Sequence, residues 1–229
     1  MEKTVVGSGR SLRGKELFLE IGYSHKSIRI DILMPEGYSS VLTGKIAYEY
    51  DELYVDRPRS FGTLYLVWRK KLGEKYVAFL STFYVYAQKY YSFSSPEEKE
   101  ALKGMGRLML CTALRIGLRN ESITPNTTVF LEADGGDPES FNQQTGQNFT
   151  REDVLGDIKN RFPEELQDLL DDYSTDLEGL ISWYKRCLTN MNLVKFYESI
   201  GFKVTDKNRC TGVPMMSDVK TVLSNVCPI

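Results

Sequence analysis

Histidine is nearly missing from this chain: His25 is the only one in 229 residues, and it sits in a linker where a surface position is expected. The four cysteines, Cys111, Cys187, Cys210 and Cys227, are far apart and include no C-x-x-C pair. The closely spaced Cys and His ligands of a zinc site are therefore absent, and no metal site is expected. No serine, cysteine or histidine constellation points to a covalent intermediate either. Apolar runs long enough to span a membrane are lacking, and Met1–Leu12 is polar and glycine-containing, with neither the apolar core nor the cleavage pattern of a signal peptide. The expectation is a soluble, intracellular (cytoplasmic) protein with no membrane partner. On that reading Cys111 and Cys187, inside helical patterns, are expected to be buried reduced thiols, and the sequons at Asn120, Asn126 and Asn148 carry no meaning without a secretion signal.

An excess of one charge is also lacking overall, with 29 Lys or Arg against 31 Asp or Glu. The distribution is uneven, however. Residues 132–178 hold 14 of the acidic and 3 of the basic residues, a net of −11, which leaves 26 basic against 17 acidic, or +9, elsewhere. A single-sign run is ordinarily a solvated surface; it can also draw a cationic substrate toward a site whose other ligand is anionic. Nucleic acid is not expected as a partner, because the aromatics interleaved with lysines fall on strand periodicity within a net-acidic chain.

What is present is a folded globular composition, 41% hydrophobic and 12% aromatic, at a length that fits one domain over residues 1–229. Its first part, residues 1–75, is β-rich. Strands are expected at Glu16–Ile21, Ser27–Met34 and Lys45–Tyr54, then at Phe61–Trp68 and Tyr76–Tyr86 around the hairpin connection Arg69–Lys75. Alternation in Ser27–Leu33 puts Ile28, Ile30 and Ile32 on a buried face, with the other face wet. Thr128–Asp134 reads as a strand ending in carboxylates at a turn. Residues 137–176 look like an acidic insertion, with a helical pair over Arg151–Tyr173 broken at Pro163, and a helix resumes after a capping-box spacing at Thr175–Glu178.

Between the run Tyr76–Ala87 and the helical pattern Leu108–Leu118 lies Lys103-Gly104-Met105-Gly106-Arg107. Ser95, Pro96 and Glu98 start a short helix expected to end near Leu102, since one helix through Gly104 and Gly106 would cost about 1 kcal/mol at each glycine relative to alanine. The turn then opens a second helix near Gly106, with Arg107, Arg115 and Arg119 on its polar stripe and Leu110, Leu114 and Leu118 on its apolar face. The free N–H groups and positive dipole end of such a helix suit a phosphate. Two glycines also serve helix–strand packing and tight turns, and on this stretch alone the structural use is preferred to the ligand.

The most specific stretch is Asn190–Val204, a helix stopped by Gly201 with Phe202 and Val204 starting a strand. Asn, an aliphatic residue four on, Phe-Tyr, then Gly-Phe resembles the C-terminal half of the GNAT N-acetyltransferase superfamily. The glycine turn resembles that family's Gln/Arg-x-x-Gly-x-Gly/Ala motif, although Ala101 stands where Gln or Arg is usual, and Thr128–Asp134 resembles the strand that follows. The resemblance covers residues 76–135 and 179–205 in the family's order. It implies an α+β fold, a mixed, mostly antiparallel central sheet flanked by helices with a splayed strand pair at the cofactor. It also implies an acetyl-CoA-dependent N-acetyltransferase acting on an amine acceptor by direct attack in a ternary complex. By position, the backbone of Gly104, Met105, Gly106, Arg107 and Leu108 would hold the pyrophosphate with charge from Lys103 and Arg107. The backbone near Phe83 and Val85 would pair with the pantetheine arm. Asn190 would hydrogen-bond the cofactor, and Tyr197 would protonate the departing thiolate unless it is a packing residue. Glu132, then Asp134, are the candidate bases, and each can equally cap a turn. Ala101 and the lack of the family's two helices after the first strand leave open a cofactor- or protein-binding module with little catalysis.

Overall fold

The computed structural model describes residues 2–12, 15–33, 62–85, 102–134, 149–161, 166–173, 176–207 and 209–227. The expected strand Lys45–Tyr54, the Ser95–Glu98 cap and residues 137–148 of the acidic insertion lie outside them. Eight strands and five helices are described, and all but one of the strand pairings given by register are antiparallel, so the chain is a mixed α+β protein as expected. It divides into two compact units, one of residues 1–71 and 80–124, the other of residues 72–79 and 125–229.

In the first unit β1 (Glu2–Leu12), β2 (Lys15–Tyr23), β3 (Ser27–Leu33) and β4 (Gly62–Leu72) pair in sequence, each antiparallel to the next. Registers Ile21↔Ile30 and Ile30↔Leu64 line apolar side chains into a row across the sheet, and Ile28, Ile30 and Ile32 are fully buried as the alternation requires. The opposite face is not simply wet. Asp31 is 6% exposed, gripped by Arg29 at 2.7 and 3.1 Å, and accepts from the Thr63 hydroxyl at 2.6 Å. Pairing and hydrogen bonding offset the cost of taking that carboxylate from water. α1 (Met105–Arg119) packs on β3 and buries Met109, Leu110, Ala113 and Leu114, with Arg107, Arg115 and Arg119 outward. Gly117 lets it come close: a Cβ there would stand 2.7 Å from the Trp68 ring.

The turn at Gly73 (φ 60°) leads into β5 (Lys75–Val85), which belongs to the second unit up to Phe79 and to the first from Leu80 on, so the hairpin connection is shorter than expected. β5 pairs parallel with β6 (Thr128–Ala133) at Ala78↔Val129 and Phe79↔Phe130, where the two rings stack at 5.8 Å. β8 (Val213–Asp218) lies antiparallel to β6 along its whole length, and β7 (Lys203–Val204) pairs with β8. α2 (Arg151–Arg161) and α3 (Leu166–Asp172), the expected pair either side of Pro163, pack on α4 (Leu177–Ser199) around Val154, Ile158, Leu169, Leu180 and Tyr184. α5 (Val219–Val226) follows β8 directly, with Asp218 as its cap.

α4 runs unbroken through Leu188 and Asn190, because nothing between them removes a backbone bond. Its cap is Asp176, which accepts from the Gly179 amide at 2.8 Å, one residue later than the capping-box spacing suggests. Gly201 (φ 98°) ends it as expected: the Gly201 and Phe202 amides donate to Glu198 and Tyr197 carbonyls, each at 3.0 Å, the paired bonds of a Schellman motif.

Candidate functional site

Leu102 is helical, Lys103 and Gly104 form a turn, and α1 starts at Met105, so the helical course is interrupted where the two glycines required. Gly104 has φ 77°, a conformation that strains any residue carrying a Cβ. It is also the N-cap of α1 and supplies no side-chain acceptor, so the first-turn N–H groups are not satisfied by a cap. Lys103 and Arg107 are exposed on either side of the turn. Leu108 leaves the expected pyrophosphate set: its N–H already donates to the Gly104 carbonyl at 3.0 Å, as the first rung of the helical ladder. Gly106 is pressed against β5, and a Cβ on it would lie 3.2 Å from Phe83 Cζ and 3.6 Å from Val85 Cγ2. The structure thus brings together Phe83, Val85 and the glycine turn.

The remaining candidates belong to the second unit. Asn190 is 0% exposed on α4, and its Nδ2 donates to the carbonyls of Ala133 (2.8 Å) and Cys210 (2.7 Å). Both amide hydrogens are thereby committed to protein, and any ligand contact falls to Oδ1, which is buried with no hydrogen-bond partner. Glu132 is exposed on β6. Asp134, just past the strand, is held by the Arg186 guanidinium at 2.6 and 3.2 Å. Both Asp134 oxygens are thus taken up by the guanidinium, which leaves Glu132 the better placed of the two candidate bases. Tyr197 is 4% exposed and packs edge-on against Phe196 and Phe202. Burial pushes its phenol well above the ordinary range, so it is a protonated O–H donor.

The expected reduced thiols are not found. Cys187 is joined to Cys210 in a disulfide, and none of the four cysteines is free. The pairing needs no C-x-x-C spacing because the chain turning back through β7 brings Cys210 onto the α4 face that carries Cys187 and Asn190.

Protein-family models, curated proteins and solved structures give no match.

Arg186 and Cys210 were missed in the sequence. Arg186 lies 52 residues from Asp134, and no local pattern announces that pair. Cys210 had a weak signal: Cys187 and Asn190 are three residues apart on a helix and so share a face. Tyr184 is buried and donates its hydroxyl to Asp157, which Arg161 pairs at 2.7 Å, so a polar bond fastens α2 to α4. Among the described residues there is no group of three or more metal-ligating side chains, and no helix is long and apolar enough to cross a membrane.

Proposed function

We propose that this chain is an N-acetyltransferase that moves acetyl from acetyl-CoA to a primary amine, a cationic one such as a polyamine, a lysine side chain or an aminoglycoside. The observation that carries the reading is the break at Lys103–Gly104: it leaves a helix N-terminus with no side-chain cap, flanked by two cations, with Gly106 set against Phe83 and Val85. Such a terminus offers N–H donors and a positive dipole end to a pyrophosphate. A free alkylamine is protonated below a pKa of about 10.4, so it must give up a proton before it attacks. Glu132 is proposed to take that proton. The amine nitrogen then bonds to the thioester carbon, the carbon–sulfur bond breaks, the Tyr197 hydroxyl gives its proton to the sulfur, and the second proton shed by the nitrogen restores the phenol.

A second reading, a cofactor- or protein-binding module with little catalysis, is favoured by the enclosure of Tyr197 among aromatic rings and by the engagement of Asp134. Thiol release from acetyl-CoA across a panel of amines separates the two. The transferase reading expects turnover with at least one cationic amine, and a kcat about 10²-fold lower or less in Tyr197→Phe with KM for acetyl-CoA retained. Coenzyme A binding without turnover on any amine supports a cofactor-binding module, and no coenzyme A binding at all removes the transferase reading and leaves only the protein-binding form of the module.

A further inference from the structure

We propose that Cys187–Cys210 is a reversible thiol–disulfide latch that fastens the segment between β7 and β8 onto α4 and sets the position of Asn190. Cys187 and Asn190 lie one turn apart on α4, and both hold Cys210, the first through its sulfur and the second through its carbonyl at 2.7 Å. The same Asn190 amide holds the Ala133 carbonyl at the end of β6. One turn of helix therefore carries the end of one strand and the chain entering another. The segment's near end is fixed where Thr205 donates to the Pro214 carbonyl at 2.9 and 3.0 Å, and its middle is fastened at Cys210.

Two features make the latch responsive. Asn190 Oδ1 is a buried acceptor with no partner, a cost that favours loosening, and water entry, once the covalent hold is gone. Lys207 and Arg209 against Asp206 leave the segment that carries Cys210 net positive, which favours a departing thiolate. The sulfurs themselves are enclosed, Cys187 at 0% and Cys210 at 3% exposure, so a reductant gains access by local opening of the segment. The exchange is balanced with a dithiol as reductant. Its thiolate attacks one sulfur, the Cys187–Cys210 bond breaks to give a mixed disulfide, and its second thiol closes a ring. Two electrons and two protons end on the cysteines, and the reductant leaves as a cyclic disulfide.

The latch does not depend on the acetyltransferase reading; only the coenzyme A measurement below does. Full-length protein kept without reductant is alkylated and digested, and the Cys187 and Cys210 peptides are expected cross-linked. Dithiothreitol is expected to raise amide hydrogen exchange over residues 205–213 at least tenfold and to lower Tm by about 5–10 °C. It should also weaken coenzyme A binding several-fold, and reoxidation should restore all three. A Cys187→Ala/Cys210→Ala double variant should resemble the reduced protein and show no response in that segment, which separates this bond from the other oxidised cysteines. Alkylation at both positions before reduction, or unchanged exchange over 205–213 after it, overturns the latch. Changed exchange with no coenzyme A binding in either state keeps the latch and removes the acetyltransferase reading.

Discussion

Gly104 is the residue on which local conformation and proposed chemistry meet. At φ 77° an added Cβ crowds the following carbonyl, so Gly104→Ala is expected to cost about 1–2 kcal/mol in chemical denaturation. If the α1 terminus holds the pyrophosphate, the same variant should also weaken coenzyme A at least tenfold by calorimetry. A stability loss with unchanged affinity would leave Gly104 a turn residue only. The need for glycine here was readable in the sequence, since two glycines inside one helix conflict with its propensity. The different reasons for the two were not: Gly104 is required by its backbone angle and Gly106 by the nearness of Phe83. Asn190 was singled out by its motif alone. That its donors are spent on Ala133 and Cys210 depends on contacts 57 and 20 residues away, which no local pattern encodes.

At the level of elements, caps explain much of what could and could not be read. Gly201 was legible as a stop because only glycine readily takes the angle a Schellman motif needs. β8 and α5 were not anticipated, yet Asp218 marks their junction by accepting from the Thr221 amide and hydroxyl, each at 2.8 Å. Those bonds favour the charged carboxylate and hold its pKa below the 3.8 of a free side chain. The cap therefore stabilises the fold fully above about pH 4 and loses this contribution as acid carries the group through its lower folded value. Asp218→Ala should cost about 1 kcal/mol at neutral pH. Thermal melts from pH 7 down to pH 2 should show the gap to wild type narrowing as the wild-type carboxylate protonates; a constant gap would mean that the charge is irrelevant. β1 was missed for a related reason, since Gly7 and Gly9 interrupt any alternation, and the ladder itself shifts register between Gly7 and Arg10.

For the whole molecule, the uneven charge was plain in composition, whereas its support was not: α2 and α3, the helices of the acidic stretch, rest on a small core of their own against α4. If that surface gathers a cationic acceptor, replacing Asp168, Asp171, Asp172 and Asp176 with Asn should raise KM for the amine several-fold at low salt while sparing that for acetyl-CoA. Asn is the suitable replacement because Asp176 caps α4 and Asn caps nearly as well. An unchanged amine KM would make the stretch a solvated surface. The mixed α+β character was readable from periodicity, but the division into two units was not, because it follows no boundary in the chain. The second unit takes residues 72–79 from between two parts of the first. No single cleavage can hence yield either half intact. A fragment ending at Thr124 would keep Ala78 and Phe79 but lose the Val129 and Phe130 they pair with, baring a strand edge open to another copy of itself. Dissecting this protein therefore calls for circular permutation or internal deletion; simple truncation would sever a shared strand from its neighbour.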